Sequence, residues 1–275
     1  MIAAMNGHSD ASGRASMAKA GRGPQEGHPP FSTGWCLFLD IDGTLIEHMD
    51  RPGDVVVDAA LKTLIGRLAE SLGGAVALIS GRAVEDVERL FAPLVVPVAG
   101  LHGVEHRDVR GVIHRHAMDE NALDSAHAHL QHVAAQNPGL FFEDKGLNLA
   151  LHYRTAPEAA PIAEDAIRAV ARDLGIRFEI QQGKMVWEVK PSGYDKGTAI
   201  DEYLDEAPFA GRVPVFLGDD LTDEVGFELV NQRGGHSIKI GPGRTRAHWR
   251  MTDARAVRGF LSALAGFVAG RRPGG

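Results

Sequence analysis

The sequence predicts an α/β protein: a parallel-sheet core with an α+β domain inserted into it. Two observations lead there. From Trp35 onward, short apolar runs alternate with stretches of helical spacing, the pattern of strands buried on both faces of a parallel sheet. Between about Val112 and Lys190, strand-like runs such as "FEIQ" alternate polar with apolar residues instead, as in an antiparallel sheet with one wet face. The expected division is a core domain of residues 34–110 and 191–275 and an inserted domain of residues 111–190. Residues 1–33, rich in Gly, Ser, Ala and Pro without periodicity, are expected to be a disordered tail.

The elements follow in order. "WCLFL" gives the first core strand. In "DAALKTLIGRLAESLGG", Leu61, Leu64, Ile65, Leu68 and Leu72 fall at helical spacing, and Gly73 supplies the stop. "AVALIS" is a strand, "AVEDVERLF" a helix and "VVPVAG" a strand. In the insertion, "GVIHRH", "LNLALHYR", "RFEIQQ" and "MVWEVK" are strands, while "ALDSAHAHLQHVAAQ" and "EAAPIAEDAIRAVARDLG" are helices. The core resumes with the strand "VPVFLG", the helix "DEVGFELV", the strand "HSIKI" and a last helix, "ARAVRGFLSALAGFVAG"; "GRRPGG" is a frayed end.

Composition narrows the function classes. With 44% hydrophobic and 24% charged residues, the 275-residue chain has an ordinary balance for a globular protein with a real core. A formal net charge of -7 argues against a nucleic-acid partner, which calls for a basic face. No apolar stretch reaches the roughly 18 to 20 residues of a membrane span. The single cysteine, Cys36, cannot form an internal disulfide, so a cytoplasmic location is expected. Nothing calls for more than a monomer or weak oligomer.

Chemistry gathers at the strand ends. Asp40 and Asp42 close the first strand in "DIDGT", with Gly43 and Thr44 turning the chain. Ser80, Gly81 and Arg82 close "AVALIS", Lys196 opens a helix after "KPSGYD", and Asp219, Asp220 and Asp223 follow "VPVFLG". Parallel strands of one sheet finish at the same edge, so these stretches converge. So many carboxylates repel one another unless a hard cation lies among them, and all-oxygen ligation suits Mg2+. A Ser hydroxyl, a Lys ammonium and backbone amides near Gly43 and Thr44 suit a phosphate. Taken singly, each stretch has an ordinary reading as a helix cap, a solvated lysine or an acidic first turn. Their conjunction, in order and each at a strand end, is what points to a site.

These four motifs resemble those of the haloacid dehalogenase (HAD) superfamily of phosphotransferases. The resemblance implies that Asp40 is the nucleophile, forming an aspartyl-phosphate, and that Asp42 is the general acid and then base. It implies that Ser80 and Lys196 bind the phosphoryl group, with Thr44, Gly81 and Arg82 beside it. Asp40, the main-chain carbonyl of Asp42 and Asp219 would hold Mg2+, supported by Asp220 and Asp223. It also implies a HAD-like Rossmannoid core, with the insertion acting as a C2-type cap that closes over the site.

Within and beside the insertion, "GLHGVEHR", "FEDKGLNLALHYR" and "MVWEVKPSGYDKG" together look like the trehalose-6-phosphate phosphatase family. Carried over, Glu143, Lys145 and Glu188 would bind sugar hydroxyls, with His102 and Glu105 at the junction and His152 lining the site. Read without the family, "EDKG" is a hairpin turn and Glu188 lies on an exposed strand face. His127 and His129, two apart on a helix, face different ways and make no metal pair. The expected activity is Mg2+-dependent hydrolysis of trehalose 6-phosphate by a stand-alone enzyme, its partner a small sugar phosphate. The alternatives are a phosphatase for sucrose phosphate or a hexose phosphate, and a non-catalytic phosphosugar-binding regulator.

Overall fold

Strand β2 (Trp35–Asp40) is buried at every position, so both faces of the sheet around it are covered. Its alternate side chains point to opposite faces, and each of Leu37, Phe38 and Leu39 removed from water contributes about 1.5–3 kcal/mol. The computed structural model describes residues 23–49, 55–115 and 123–271. On one side of β2 lie β3 (Val76–Ile79) and β4 (Val98–Gly100); on the other lie β11 (Val213–Gly218), β12 (His236–Ile240) and β13 (Trp249–Met251). All of these pairings are parallel.

Helices α1 (Ala59–Ser71) and α7 (Ala254–Ala269) pack together, as do α5 (Lys196–Leu204) and α6 (Glu224–Gln232). α2 (Val84–Phe91) lies beside β4. Helix starts follow local chemistry: Asp58 accepts from the Leu61 amide at 2.8 Å, and Asp195 accepts from the Thr198 amide at 2.8 Å in a reciprocal capping box. The chain leaves β2 for β3 on one side and later fills the other side from β11. The crevice for a ligand therefore opens where the loops after β2 and β11 part.

A second, antiparallel sheet has the order β7 (Phe141–Asp144), β8 (Leu149–His152), β10 (Val186–Pro191), β9 (Phe178–Gly183). Phe142, Leu149, Leu151, Trp187 and Val189 on one face join a core of their own with α3 (Asp124–Gln136) and α4 (Ala160–Leu174). The other face carries a polar row: Glu143 pairs with Ala150, Ala150 with Glu188, and Glu188 with Gln181. Directly paired residues share a face, so the four side chains project together, with the fully buried Ala150 methyl between the longer ones.

Three sequence expectations change. "GVIHRH" does not join the second sheet. Its residues form β6 (Ile113–Arg115), which with β5 (Glu105–Arg107) makes an antiparallel hairpin on the edge of the first sheet. Alternation alone does not tell which sheet a wet strand completes. Within the segment expected to be a tail, residues 1–22 lie outside the described residues, but residues 23–33 are structured. There β1 (Gln25–Glu26) pairs with β13, and Phe31 packs on α7, 5.7 Å from the Phe260 ring and 5.5 Å from that of Phe267. One aromatic residue in a glycine-rich segment is enough to dock it. β13 itself, "WRM", was not anticipated, being too short to show a period.

Candidate active site

β2 delivers Asp40 to the C-terminal edge of the sheet at 4% exposure, level with Ile79 of β3; Leu39 sits level with Leu217 of β11. α5 starts with Lys196, whose Nζ donates to Asp40 Oδ1 at 2.7 Å and to Asp223 Oδ1 at 2.6 Å. Burying two carboxylates with one ammonium is costly unless the geometry is good, and here the short bonds supply it. Burial works to lower the Lys196 ammonium, but the charges of Asp223 and Asp40 win and raise it. Burial pushes the Asp40 carboxyl well above the usual carboxylate range. Lys196 opposes that rise, while Asp223 and Asp219 add to it.

Asp40, Asp219 and Asp223 bring carboxylate oxygens within 4.8 Å of one another. Both Asp223 oxygens already accept a hydrogen bond, the second from the Asp220 amide at 2.8 Å. Asp40 Oδ2 and Asp219 Oδ1, in contrast, are buried and have no hydrogen-bond partner. Two desolvated, unpartnered carboxylate oxygens beside a third carboxylate are expensive as they stand, and hard-cation ligation removes that cost. The donor set of Asp40, Asp219 and Asp223 fits a divalent cation.

The remaining motif residues sort themselves by contact. Ser80, Gly81 and Arg82 line the same pocket as Asp40 and Lys196. The Arg82 guanidinium grips Asp42 with two bonds of 2.7 Å, so the Asp42 carboxylate faces Arg82 and not the acidic trio. Thr44 is buried with an unpartnered hydroxyl, and its amide, like that of Gly43, is turned back into the loop, toward the carbonyls of Ile41 and Ile46. The Gly43 and Thr44 amides are thus already engaged within the loop. Asp220 lines the same pocket. It stands outside the carboxylate trio, and its Oδ2 accepts from the Lys184 amide at 3.0 Å, at the β9–β10 tip of the second sheet.

The polar row of the second sheet faces this edge. Glu143, Lys145, Gln181 and Glu188 line one pocket with Asp40, Ser80 and Lys196. Lys145 donates to Glu188 Oε2 at 2.9 Å, and Asn148 to Glu188 Oε1 at 2.6 Å. Burial works to lower the Lys145 ammonium, but the charges of Glu188 and Glu143 raise it on balance. Glu143 accepts from His152 at 2.7 Å. Burial raises this carboxyl, yet the His152 hydrogen bond and the charge of Lys145 outweigh it and bring it down to about 2. His102 lies at the base of the pocket in a turn where both Leu101 (φ 50°) and His102 (φ 57°) are left-handed, an uncommon backbone for residues with side chains. Burial, with the charges of Lys196, Lys145 and Lys190, holds its imidazole well below the usual histidine range. Its Nε2 lies 3.8 Å from Glu188 Oε1.

Glu105 is not part of the pocket. Its Oε1 accepts from the Val84 amide at 2.6 Å at the start of α2, and its Oε2 meets Arg115 of β6 at 3.1 Å. It anchors the edge hairpin, a role invisible before "GVIHRH" is placed in the first sheet. Sequence reasoning also missed Asn148, His48 and Lys239. His48 lies 2.8 Å from Asp219, and the buried Lys239 ammonium holds the Asp219 carbonyl. The one signal available for Lys239 was a lysine inside the apolar strand "HSIKI".

Residues 38–255 match the family model described as trehalose-phosphatase. The chain is 44% identical over 240 residues to the trehalose-6-phosphate phosphatase of Escherichia coli K12, covering 86% of this chain and 88% of that protein. Among solved structures, a trehalose-6-phosphate phosphatase-related protein superposes with a TM-score of 0.74 at 28% identity, over 86% of this chain and all of its own. A haloacid dehalogenase-like hydrolase from B. subtilis, at 15% identity, shares the fold with a TM-score of 0.59 over 82% of this chain and 98% of its own. The core is thus HAD-like, the extended match reaches from β2 into α7, and the chain belongs to the trehalose-phosphatase family.

Proposed function

We propose that the protein hydrolyses trehalose 6-phosphate to trehalose and phosphate through an aspartyl-phosphate on Asp40, with Mg2+ as the cation. The observation that carries this reading is the asymmetry at Asp40: one oxygen is held by Lys196 and the other is buried and unpartnered. Mg2+ bound by Asp40 and Asp219 would supply positive charge for the phosphoryl oxygens and let a carboxylate approach a dianion. Lys196 and Ser80 hold the phosphoryl group in line with Asp40. A carboxylate oxygen of Asp40 then forms the new bond to phosphorus as the bond to the sugar oxygen breaks.

Asp42 gives the departing sugar oxygen its proton. In the second step it takes a proton from the water that attacks the aspartyl-phosphate, restoring both groups. Arg82 grips Asp42 before substrate arrives, and the incoming phosphate offers the guanidinium a second anion, freeing Asp42 to carry a proton. Glu143, Lys145, Glu188 and Gln181 line the pocket and meet the sugar hydroxyls. Cys36, single and buried, needs no oxidising environment, which supports a cytoplasmic setting.

The test is a panel of sugar phosphates assayed with Mg2+ on the wild type and on Asp40→Asn. Trehalose 6-phosphate should give the highest kcat/KM, and the variant should keep the wild-type melting temperature while losing turnover. Preference for sucrose phosphate or a hexose phosphate would reject the substrate. Undiminished turnover by the variant, with deamidation excluded by mass, would reject the nucleophile.

A further inference from the structure

Asp219 is held from several directions, and one of its partners belongs to no recognised motif. His48 follows the first catalytic loop and lies 171 positions from Asp219 in the chain, yet its Nε2 is 2.8 Å from Asp219 Oδ2. An ionised carboxylate only accepts, so Nε2 carries the hydrogen and donates it. The contact is largely shielded, with His48 22% and Asp219 7% exposed. The other Asp219 oxygen, Oδ1, is buried without a partner. The two oxygens therefore have separate assignments: Oδ2 is tied by a protein donor and Oδ1 is free for a ligand.

The loop between them is shaped for this contact. Gly43 has φ +89°, and a Cβ there would stand 2.3 Å from Asp219 Oδ2 and 2.4 Å from His48 Nε2. No side chain fits where the imidazole and the carboxylate meet. The Asp219 carbonyl is separately held by the buried Lys239 ammonium, which fixes the backbone but leaves the carboxylate free to rotate. Lys184 Nζ, at 3.9 Å from Oδ2, is too distant to orient it by a hydrogen bond. His48 is the group that sets the carboxylate plane.

We infer that His48 is a positioning residue for the cation site: by holding Asp219 Oδ2 it turns Oδ1 toward the oxygens of Asp40. The inference rests on the cation reading given above. Outer partners of this kind orient the ligating group, and their removal typically costs about 10- to 100-fold in metal affinity.

The experiment compares wild type, His48→Ala, His48→Gln and His48→Phe by calorimetric titration with Mg2+ in the absence of substrate. It is paired with KM for trehalose 6-phosphate at saturating Mg2+ and with melting temperature. Removal of the donor, by Ala or Phe, should weaken Mg2+ binding about 10- to 100-fold. Gln, which keeps an N–H donor, should recover part of the loss, and KM at saturating Mg2+ should stay near wild type in every variant. Unchanged Mg2+ affinity in both Ala and Phe variants overturns the role of His48 while leaving the cation reading intact. A raised KM with unchanged Mg2+ affinity makes His48 a substrate contact and also overturns it. A wild type with no saturable Mg2+ binding overturns the cation reading and this inference with it. Should His48→Ala fail to fold, the Gln and Phe pair decides the matter, since they differ chiefly in the presence of a donor.

Discussion

Lys196 neutralises two buried carboxylates at once, which makes it structural as well as chemical. Lys196→Met keeps the length of the side chain but leaves Asp40 and Asp223 facing each other. Removing one partner of a buried ion pair costs about 3–5 kcal/mol, so the variant should melt well below wild type, as calorimetry will show, and have no activity. Glu143 gives a pH-dependent counterpart. Its carboxyl is at about 2 when folded, against 4.5 for a free glutamate side chain. The folded state therefore binds this proton more weakly, and the stabilisation is complete above pH 4.5 and lost as pH falls toward 2. At about 1.4 kcal/mol per unit this is at most roughly 3 kcal/mol. Glu143→Gln should flatten that part of the stability profile in urea titrations between pH 4.5 and 2. At this scale the sequence was legible wherever a polar residue directly follows an apolar run, as at Asp40, Ser80 and Asp219. It was opaque at His48, Asn148 and Glu105, whose partners are chosen by folding and not by neighbourhood in the chain.

Between elements, the point of contact to watch is the β9–β10 tip. Asp220 Oδ2 accepts from the Lys184 amide while Asp220 Oδ1 accepts from the Leu221 amide, so one side chain caps its own turn and tethers the second sheet to the first. Asp220→Ala should increase hydrogen exchange at the Lys184 amide and lower kcat/KM for trehalose 6-phosphate by about 10-fold, the equivalent of one hydrogen bond of about 1.4 kcal/mol. Turnover of a small aryl phosphate, which does not need the polar row, should fall less. Equal losses on both substrates would place Asp220 in the chemistry, as a ligand or support for the cation. The motif alone could not separate Asp220 from Asp219, because adjacent residues on an irregular loop have no fixed facing. Helices were read from their period and buried strands from their unbroken apolar runs, whereas β1, β13 and the β5–β6 hairpin were too short or too wet to declare their sheet.

For the whole molecule, the docked segment ahead of β2 predicts a graded response to truncation. Residues 23–33 add a parallel strand and the Phe31 ring, which packs on α7 and on Trp35. A chain lacking residues 1–33 should melt several degrees below one lacking residues 1–22, since a buried aromatic contributes about 1.5–3 kcal/mol and such a loss shifts melting by roughly 2–4 °C per kcal/mol. Equal melting temperatures would show that the segment adds nothing. The path of the chain between the two sheets has a further consequence. β10 carries Glu188, and after Pro191 only Ser192, Gly193, Tyr194 and Asp195 intervene before Lys196 opens α5. Gly193, with φ +87°, lets the chain turn there, and Lys190 holds the turn by donating to the Tyr194 carbonyl. Glu188 and Lys196, which line one pocket, are therefore joined by a short stretch of main chain as well as facing each other across it. On the function proposed above, a change in this connection would reach both the sugar end and the phosphoryl end of the pocket through the main chain.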